Sequence, residues 1–289
     1  MAALGRLYSA SALTGGAAPR RAMHRRVSEL MNIVVLVKQV PDTYSERKLR
    51  AEDSTLDRDA ADAVINELDD YAIEEGLQLA EKHGGEVTIV SMGPEKAAEA
   101  IRKALSMGAD KAVHLSDEAL RGSDGLVTSA VLAKVLERTG FDLVILGSES
   151  TDARMGTLAS MLAERLGVPQ LSFASKVETD GSAISIHRQA DYGYDTVEAS
   201  LPAVVSVVEK INEPRYPSFK GIMAAKKKPV ETLGLADLGL EASQAGLAAS
   251  ATEVVSFAAR PPRAAGVVVT DEGDGGAKAA EFLAARKFI

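Results

Sequence analysis

The sequence contains no cysteine and no tryptophan, and aromatic residues make up only 4% of its 289 residues. Without cysteine, the chain can form no disulfide, no thiolate metal site and no iron–sulfur cluster of its own. A redox role would therefore require a bound organic cofactor. With so few aromatic residues, we expect a core of Val, Ile, Leu and Ala, as in α/β proteins with buried parallel strands.

The sequence also has no excess of positive charge and no long apolar run. The formal net charge of −8 argues against nucleic acid as a partner, because no broad basic surface is implied. No apolar run approaches the roughly 18 residues of a membrane span. We therefore expect a soluble chain without membrane insertion.

Residues 1–30 differ in composition from the rest, since 1–28 contain arginines but no acidic residue. This composition is typical of a transit peptide, which would place the protein in the mitochondrial matrix. Alternatively, the true start is Met31, and the preceding Ala-, Gly- and Arg-rich stretch is translated non-coding sequence of a high-GC genome. We favour the second interpretation, which predicts a cytoplasmic protein and an extension that is disordered or not native.

From Met31 onwards, short apolar runs alternate with helical patterns, as in βαβ units. The first buried strand is predicted at 32–38 and the most apolar one at 142–147. Antiparallel strands, with turns at Asp180-Gly181 and near Gly193, are predicted to follow. The pattern predicts an α/β fold with a doubly wound, mostly parallel, Rossmann-like sheet. The adenine-nucleotide-binding character of this sheet follows only from the family resemblance given below.

Three helices are predicted from capping residues and apolar spacing. Asn66 is expected to cap a helix that runs to about Lys82, and Ser123 to cap the helix that ends at Gly140. Apolar residues from Met155 onwards predict a helix that ends at Gly167.

The α/β domain is predicted to span 31–211, followed by a distinct segment at 212–229 and a long C-terminal arm at 230–289. In this last part only 254–255 and 267–269 look like strands, and 277–288 is predicted to form a terminal amphipathic helix. Because such a tail has little core of its own, we expect it to pack on another subunit.

Catalytic groups are hard to find in the sequence. The four histidines are scattered, and none has a partner at the spacing of a metal site or a catalytic triad. The carboxylate pairs Asp69-Asp70 and Glu74-Glu75 are expected on a solvated helix face. No nucleophile elbow or Walker loop is present. We therefore expect a chain that is not an enzyme.

Nucleotide binding is better supported, because two polar loops follow predicted strands and lead into helices. They span 92–94 and 147–157. Small residues let the backbone approach a phosphate, N–H groups at a helix start can donate to it, and Arg154 can add positive charge. An ordinary βα turn rich in capping residues explains the same pattern. The spacing leaves both interpretations open, because no GxGxxG follows the first strand.

The segment 212–228, NEPRYPSFKGIMAAKKK, resembles the signature of electron-transferring flavoprotein β subunits. VLVKQVPDT at 35–43, SMGP at 91–94 and ALSMGADKAVHL at 104–115 resemble the same family. Together these motifs extend the resemblance over nearly all of 32–240.

The resemblance implies a heterodimer in which a larger α subunit holds the redox-active FAD and the β subunit holds one AMP. It assigns the AMP site to residues at strand ends, at the first helix start and in the second polar loop: Leu36, Asn66, Glu67, Leu68, Asp69, Met92, Gly147, Asp152, Arg154, Met155, Gly156 and Thr157. Many family members carry acidic residues where this sequence has Ala153 and Arg154, so phosphate contacts are expected to shift toward Arg154.

The resemblance also implies that 212–229 is a partner-recognition loop and helix. Phe219, with Tyr216, Ile222 and Met223, would anchor on acyl-CoA dehydrogenases of fatty acid oxidation. Phe219 could instead be a core residue of a folded loop, but its Pro and Lys neighbours favour exposure. Their electrons would pass to the FAD and onward to a quinone oxidoreductase, and the C-terminal arm would pack on the α subunit. The run Lys226–228 is expected to be solvated.

Three alternatives remain open. In a bifurcating flavoprotein, a second FAD replaces AMP in the β subunit. A stand-alone nucleotide-binding protein of the universal-stress type would be a monomer without a role for the long tail. An adenine-nucleotide α-hydrolase would require an acidic metal-binding loop, which we do not find.

Overall fold

The structure is a computed structural model that describes residues 30–263, 266 and 268–289. The predicted extension at 1–30 lies outside these residues except for Leu30. The chain divides into two compact units, the first ending at Thr252 and the second spanning Glu253–Ile289. Among the described residues, no helix combines the length and apolar character needed to cross a membrane.

A nine-stranded sheet forms the centre of the first unit. Its strands are β1 (Met31–Leu36), β4 (Gly85–Met92), β5 (Lys111–Leu115), β6 (Leu143–Gly147), β7 (Gln170–Thr179), β8 (Ala183–Ala190), β9 (Gly193–Ser200), β10 (Ala203–Val207) and β11 (Val230–Leu233). A small antiparallel sheet consists of β2 (Gln39–Pro41) and β3 (Ala63–Ile65).

The strand order is β11-β5-β4-β1-β6-β10-β7-β8-β9. Neighbouring strands from β11 to β7 are parallel, and β8 and β9 continue the sheet antiparallel. This confirms the predicted doubly wound, mostly parallel α/β fold with added antiparallel strands. The turns predicted at Asp180-Gly181 and near Gly193 lie between β7 and β8 and at the start of β9.

The helices are α1 (Glu67–His83), α2 (Ala98–Met107), α3 (Gly125–Thr139), α4 (Leu158–Leu166), α5 (Phe219–Ala225), α6 (Gly246–Ala249) and, in the second unit, α7 (Gly275–Ala285). Two hydrophobic clusters cover the two faces of the sheet. Ile33 and Val35 of β1 join the cluster with α1 and α2. Val34 and Leu36 join the cluster with α3 and α4. This alternation follows from the two-residue period of a strand.

The carboxyl ends of β1 and β6 flank the point where the chain reverses direction across the sheet. From β1 the chain goes to β4 and β5 on one side, and it returns to β6 on the other side of β1. In open α/β sheets, ligands bind in the crevice outside such a point.

Two predicted helix starts were wrong. Asp124, not Ser123, caps α3, because its side chain accepts a hydrogen bond of 2.9 Å from the Val127 amide. Helix α4 begins at Leu158 rather than near Met155. Gly156, with φ of +66°, interrupts the helical path that the apolar spacing suggested.

The predicted start of the C-terminal arm at residue 230 falls too early. Strand β11 pairs in parallel with β5, so the chain as far as Thr252 belongs to the first unit. The strand predicted at 254–255 was wrong, since 252–263 contains no helix or strand. Val267 lies outside the described residues. The predicted terminal helix is confirmed as α7.

Candidate functional site

Three of the predicted site residues come together at one edge of the sheet. Leu36 ends β1, Met92 ends β4 and Gly147 ends β6, and these strands are neighbours in the order β4-β1-β6. Leu36 is buried, and the half-buried Met92 packs against the same hydrophobic cluster. The sequence pattern located this edge correctly.

Asp69, in the first turn of α1, joins the ends of β1 and β6. One carboxylate oxygen accepts a hydrogen bond of 2.8 Å from the Lys38 amide. The other accepts bonds from the Asn66 side chain at 3.0 Å and from the Gly147 amide at 3.3 Å. The side chain is fully enclosed, and its burial raises the pKa of Asp69 to about 7 in spite of these hydrogen bonds.

The expectation that the carboxylate pairs lie on a solvated helix face was wrong. Asp69, Glu74 and Glu75 are all buried, and Asp70 is partly buried. Hydrogen bonds from distant parts of the chain compensate for the burial of Asp69, Glu74 and Glu75.

Asn66 occupies the position before α1 but makes no side-chain capping bond, so the predicted cap was wrong. Its amide nitrogen instead donates to the Glu149 carbonyl at 3.0 Å. Its side-chain oxygen accepts from the Thr151 amide at 3.0 Å. The side chain, only 1% exposed, therefore fastens the loop after β6 to the start of α1.

Lys38 and Arg58 are site residues that sequence reasoning missed. The Lys38 ammonium donates to Asp152 at 2.7 Å and to the Ser150 hydroxyl at 3.2 Å. Arg58 lies 3.7 Å from the second Asp152 oxygen. Burial opposes ionisation of Asp152, but the Lys38 ammonium, the Ser150 hydroxyl and Arg58 together hold its pKa below the ordinary value. A lysine at the end of the predicted first strand was a usable signal; nothing local pointed to Arg58.

Other predicted residues lie around this framework with more exposed side chains. The Arg154 guanidinium lies 3.5 Å from the Glu149 carboxylate and is 69% exposed. Glu67 is exposed, Leu68 is half-buried beside Gly147 and Met155 is 38% exposed. Most of the predicted site residues therefore lie together at this edge of the sheet. Glu67 and Arg154 lie on its solvent-exposed side.

The site residues fit a nucleotide phosphate on three observations. The buried hydroxyl of Thr151 has no hydrogen-bond partner among the described residues. Thr157 precedes α4 without making a side-chain capping bond. Because N–H groups at a helix start carry partial positive charge, they favour an anion. Gly156, at positive φ, has open space where a Cβ would lie.

Helix α5 presents a group of exposed apolar side chains. Ser218 caps it by accepting a hydrogen bond of 3.0 Å from the Gly221 amide. The exposed fractions are 95% for Tyr216, 80% for Phe219, 47% for Ile222 and 48% for Met223. The exposure expected for Phe219 is thus confirmed. A cluster of exposed apolar side chains of this kind is typical of an interaction site.

The loop before α5 is fastened to α1 through the buried carboxylates. Two nitrogens of the Arg215 guanidinium donate to Glu74 at 2.8 and 2.9 Å, and a third donates to Glu81 at 2.6 Å. Asn212 donates to the Tyr71 carbonyl and to Glu75, both at 3.1 Å. Although burial opposes ionisation, the Arg215 hydrogen bonds hold the pKa of Glu74 below its ordinary value.

The run Lys226–228 does not behave as one solvated group. Lys226 and Lys227 are exposed. Lys228 donates to three backbone carbonyls at the end of α2, those of Leu105 and Gly108 at 3.0 Å and that of Ala109 at 2.5 Å. The expectation of simple solvation was therefore wrong for Lys228.

Comparison with known proteins agrees with the motifs and the fold. Residues 53–238 match the family model described as the electron transfer flavoprotein domain. The chain is 53% identical over 266 residues to the electron transfer flavoprotein subunit beta of Mycobacterium bovis, covering 90% of this chain and 100% of the relative. The subunit beta of Thermoanaerobacterium thermosaccharolyticum is 39% identical, covering 83% of this chain and 92% of the relative.

A third relative is the caffeyl-CoA reductase-Etf complex subunit CarD of Acetobacterium woodii. It is 35% identical, covering 83% of this chain and 92% of the relative. The family model spans more than half of the chain, and the relatives are matched over nearly their whole length. The chain therefore belongs to the electron transfer flavoprotein family, as a β subunit.

Proposed function

We propose that this chain pairs with an FAD-bearing α subunit, holds one AMP as a structural ligand and docks on acyl-CoA dehydrogenases, without a catalytic step of its own. The electrons would pass from the dehydrogenase to the FAD and then to a quinone oxidoreductase. The observation that carries the AMP assignment is the polar framework of Lys38, Asn66, Asp69 and Asp152 at the switch point of the sheet.

The AMP would lie outside the ends of β1, β4 and β6, with its phosphate at the loop 147–157 and the start of α4. Backbone N–H groups and the Thr151 hydroxyl are the donors that this chain offers there. Asn66 and Asp69 would act by fixing the loop. AMP carries no redox chemistry, so its role in this proposal is to fill and stabilise the crevice.

The C-terminal unit would pack on the α subunit. Its first residues, 253–263, form no helix or strand, and Val255 is 91% exposed. On α7 and after it, Phe282, Leu283 and Phe288 are exposed. A segment with this many exposed apolar side chains requires a partner to bury them.

The second candidate is a bifurcating β subunit with a second FAD in place of AMP. The observation in its favour is the similarity to the subunit of the caffeyl-CoA reductase-Etf complex. The stand-alone universal-stress and hydrolase alternatives receive no support from family membership.

Purification of the chain with its α partner, followed by acid release and chromatography of bound nucleotides, tests the cofactor assignment. We expect one FAD and one AMP per heterodimer. Two FAD and no AMP would establish the bifurcating alternative. A stable monomer that hydrolyses ATP and never copurifies with a flavoprotein would overturn the whole proposal.

The docking role of Phe219 is tested by Phe219→Ala in the heterodimer. We expect reduction by an acyl-CoA dehydrogenase to slow roughly tenfold or more, because anchors in interfaces commonly contribute at least 2 kcal/mol. Flavin content should be unchanged. Leu126→Ala, at a residue that is 46% exposed on α3, is the control and should behave like the unaltered protein. An unchanged rate for Phe219→Ala would remove the docking claim.

A further inference from the structure

We infer that the C-terminal turn of α2 is a rigid seat for α5, and that Gly221 and Lys228 are positioning residues for docking on the partner dehydrogenase. This inference rests on the proposed docking role of Phe219. Gly221 and Lys228 would not touch the dehydrogenase themselves but would hold α5, which does.

Gly221 allows direct backbone contact between the two helices. A Cβ atom built on Gly221 would overlap the carbonyl oxygen of Ser106 in the last turn of α2. The obstacle is backbone rather than a flexible side chain, so it cannot move aside without displacing a helix. Only glycine permits α5 to lie this close to α2.

Lys228 adds an electrostatic attachment at the same place. The last carbonyls of a helix lack intrahelical partners and carry partial negative charge, which favours a cation. The Lys228 ammonium donates to the carbonyl of Leu105 in the last turn of α2 and to those of Gly108 and Ala109 directly after it. Its three N–H donors are thereby all used within the protein.

A reciprocal bond links the same elements in the opposite direction. Arg102, in α2, donates to the carbonyl of Ala225, the last residue of α5, at 3.1 Å. Ala225 is itself buried, at 3% exposure. The C-terminal end of α5 is therefore held twice: Arg102 of α2 donates to α5, and Lys228, after α5, donates to the end of α2.

The other end of α5 is held by α1. Arg215, four residues before Phe219, donates to Glu74 and Glu81 of α1. Helix α5 is thus attached at both ends, while Phe219, Ile222 and Met223 remain exposed. A contact surface that is already ordered loses less conformational entropy when it binds, so it binds more tightly.

This arrangement predicts an effect on the affinity for the dehydrogenase rather than on electron transfer within the complex. In the heterodimer, Gly221→Ala and Lys228→Met should each raise the KM for the flavoprotein roughly tenfold. The kcat should change less than about twofold, because the flavin site is not part of the seat. Lys48→Met, a substitution at an exposed lysine outside the partner-recognition segment 212–229, is the control and should leave KM unchanged.

Two further measurements separate positioning from general destabilisation. Lys228→Arg keeps a cation with several donors and should recover most of the KM change. Amide hydrogen exchange of 219–225 should accelerate in Lys228→Met while exchange in β1 and β6 stays unchanged. If Gly221→Ala does not fold, Arg102→Met and Lys228→Met decide the outcome.

The results distinguish this inference from the docking proposal beneath it. If Phe219→Ala raises KM and neither Gly221→Ala nor Lys228→Met does, the end of α2 does not position α5 for docking. Docking through α5 would then still stand. If Phe219→Ala has no effect, the docking proposal itself fails. A rise in KM without faster exchange in 219–225 would also overturn the seat.

Discussion

The ammonium nitrogen of Lys38, two residues after β1, lies 2.7 Å from a carboxylate oxygen of Asp152 in the loop after β6. The same ammonium binds the Ser150 hydroxyl, and Asn66 binds the amide of Thr151 between them. Three consecutive loop residues are therefore held by side chains from another part of the chain. The shape of the proposed phosphate loop thus depends on Lys38 and Asn66.

Removal of the Lys38 ammonium should loosen this loop. In Lys38→Met, the Asp152 carboxylate, only 3% exposed, loses its nearest cation and keeps only the more distant Arg58. We expect the affinity for AMP to fall about tenfold and the free energy of unfolding to fall by about 1–3 kcal/mol.

Isothermal titration of nucleotide-depleted heterodimer with AMP, together with urea unfolding, measures both effects. Lys48→Met is the control, because Lys48 is exposed and its nearest carboxylate oxygen, on Glu46, is 3.7 Å away. Equal AMP affinity for Lys38→Met and Lys48→Met would show that the loop does not depend on the ion pair.

Asp69 predicts a pH dependence of stability. Its pKa of about 7 in the folded protein lies above its ordinary value of 3.8, so folding favours the protonated form. Its contribution to the free energy of unfolding is therefore greatest below about pH 4 and is lost as pH rises to about 7. The expected loss is on the order of 2–4 kcal/mol.

Asp69→Asn has no such titration. Urea unfolding of the nucleotide-depleted heterodimer from pH 4 to pH 8, at one protein concentration, should show the substituted protein gaining stability relative to the unaltered one as pH rises. A difference between the two proteins that is constant over this range would contradict the raised pKa.

Arg215 forms an ion pair with Glu74, a buried carboxylate of α1. In Arg215→Met, Glu74, with a side chain that is 4% exposed, would keep its charge without its cation. We expect a loss of about 2 kcal/mol in the free energy of unfolding, less than for a fully buried pair because the guanidinium is 34% exposed.

Lys134→Met provides the comparison for Arg215→Met. It removes a pair with Glu137 in which both side chains are 51% exposed, and it should cost less than about 0.5 kcal/mol. Chemical unfolding of both heterodimers measures the difference. Similar losses in the free energy of unfolding for the two substitutions would mean that other groups compensate the charge of Glu74.

Gly147 has no room for a side chain at the end of β6. A Cβ there would lie 2.6 Å from an Asp69 carboxylate oxygen and 2.7 Å from the Leu68 Cβ. We expect Gly147→Ala to displace the start of α1, to cost about 1–3 kcal/mol of stability and to weaken AMP binding.

Gly234→Ala is the matched glycine substitution, because its nearest atom would be an Asp117 carboxylate oxygen at 3.4 Å. Thermal unfolding and AMP titration of both proteins measure the effects. If Gly147→Ala binds AMP as tightly as Gly234→Ala does, the approach of α1 to β6 does not shape the site.

The positions of the loops proposed to bind the nucleotide could be predicted from local sequence. Apolar runs mark buried strands, and small polar residues mark the turns that follow them, so Met92 and Gly147 were correctly placed at strand ends. The exposure of Phe219 followed from its neighbours in the same way. These properties depend on residues close in sequence, whose effects the chain shows directly.

The buried charges could not be predicted, because their partners are distant in sequence. Asp69 binds the Lys38 amide across 31 residues, and Glu74 binds Arg215 across 141 residues. Adjacent carboxylates on a helix resemble a solvated face unless those partners are known. Strand β11 was missed for a similar reason, since its partner β5 lies far away in the chain.

The sequence by itself determined the family, the alternation of strands and helices and the loops that follow the strands, because hydrophobic periodicity and turn residues are local. Only the tertiary structure decided which carboxylates are buried, which cations meet them and that Lys228 differs from Lys226 and Lys227. Those outcomes depend on which elements pack together, and a side chain at the contact is buried or solvated according to its distant neighbours.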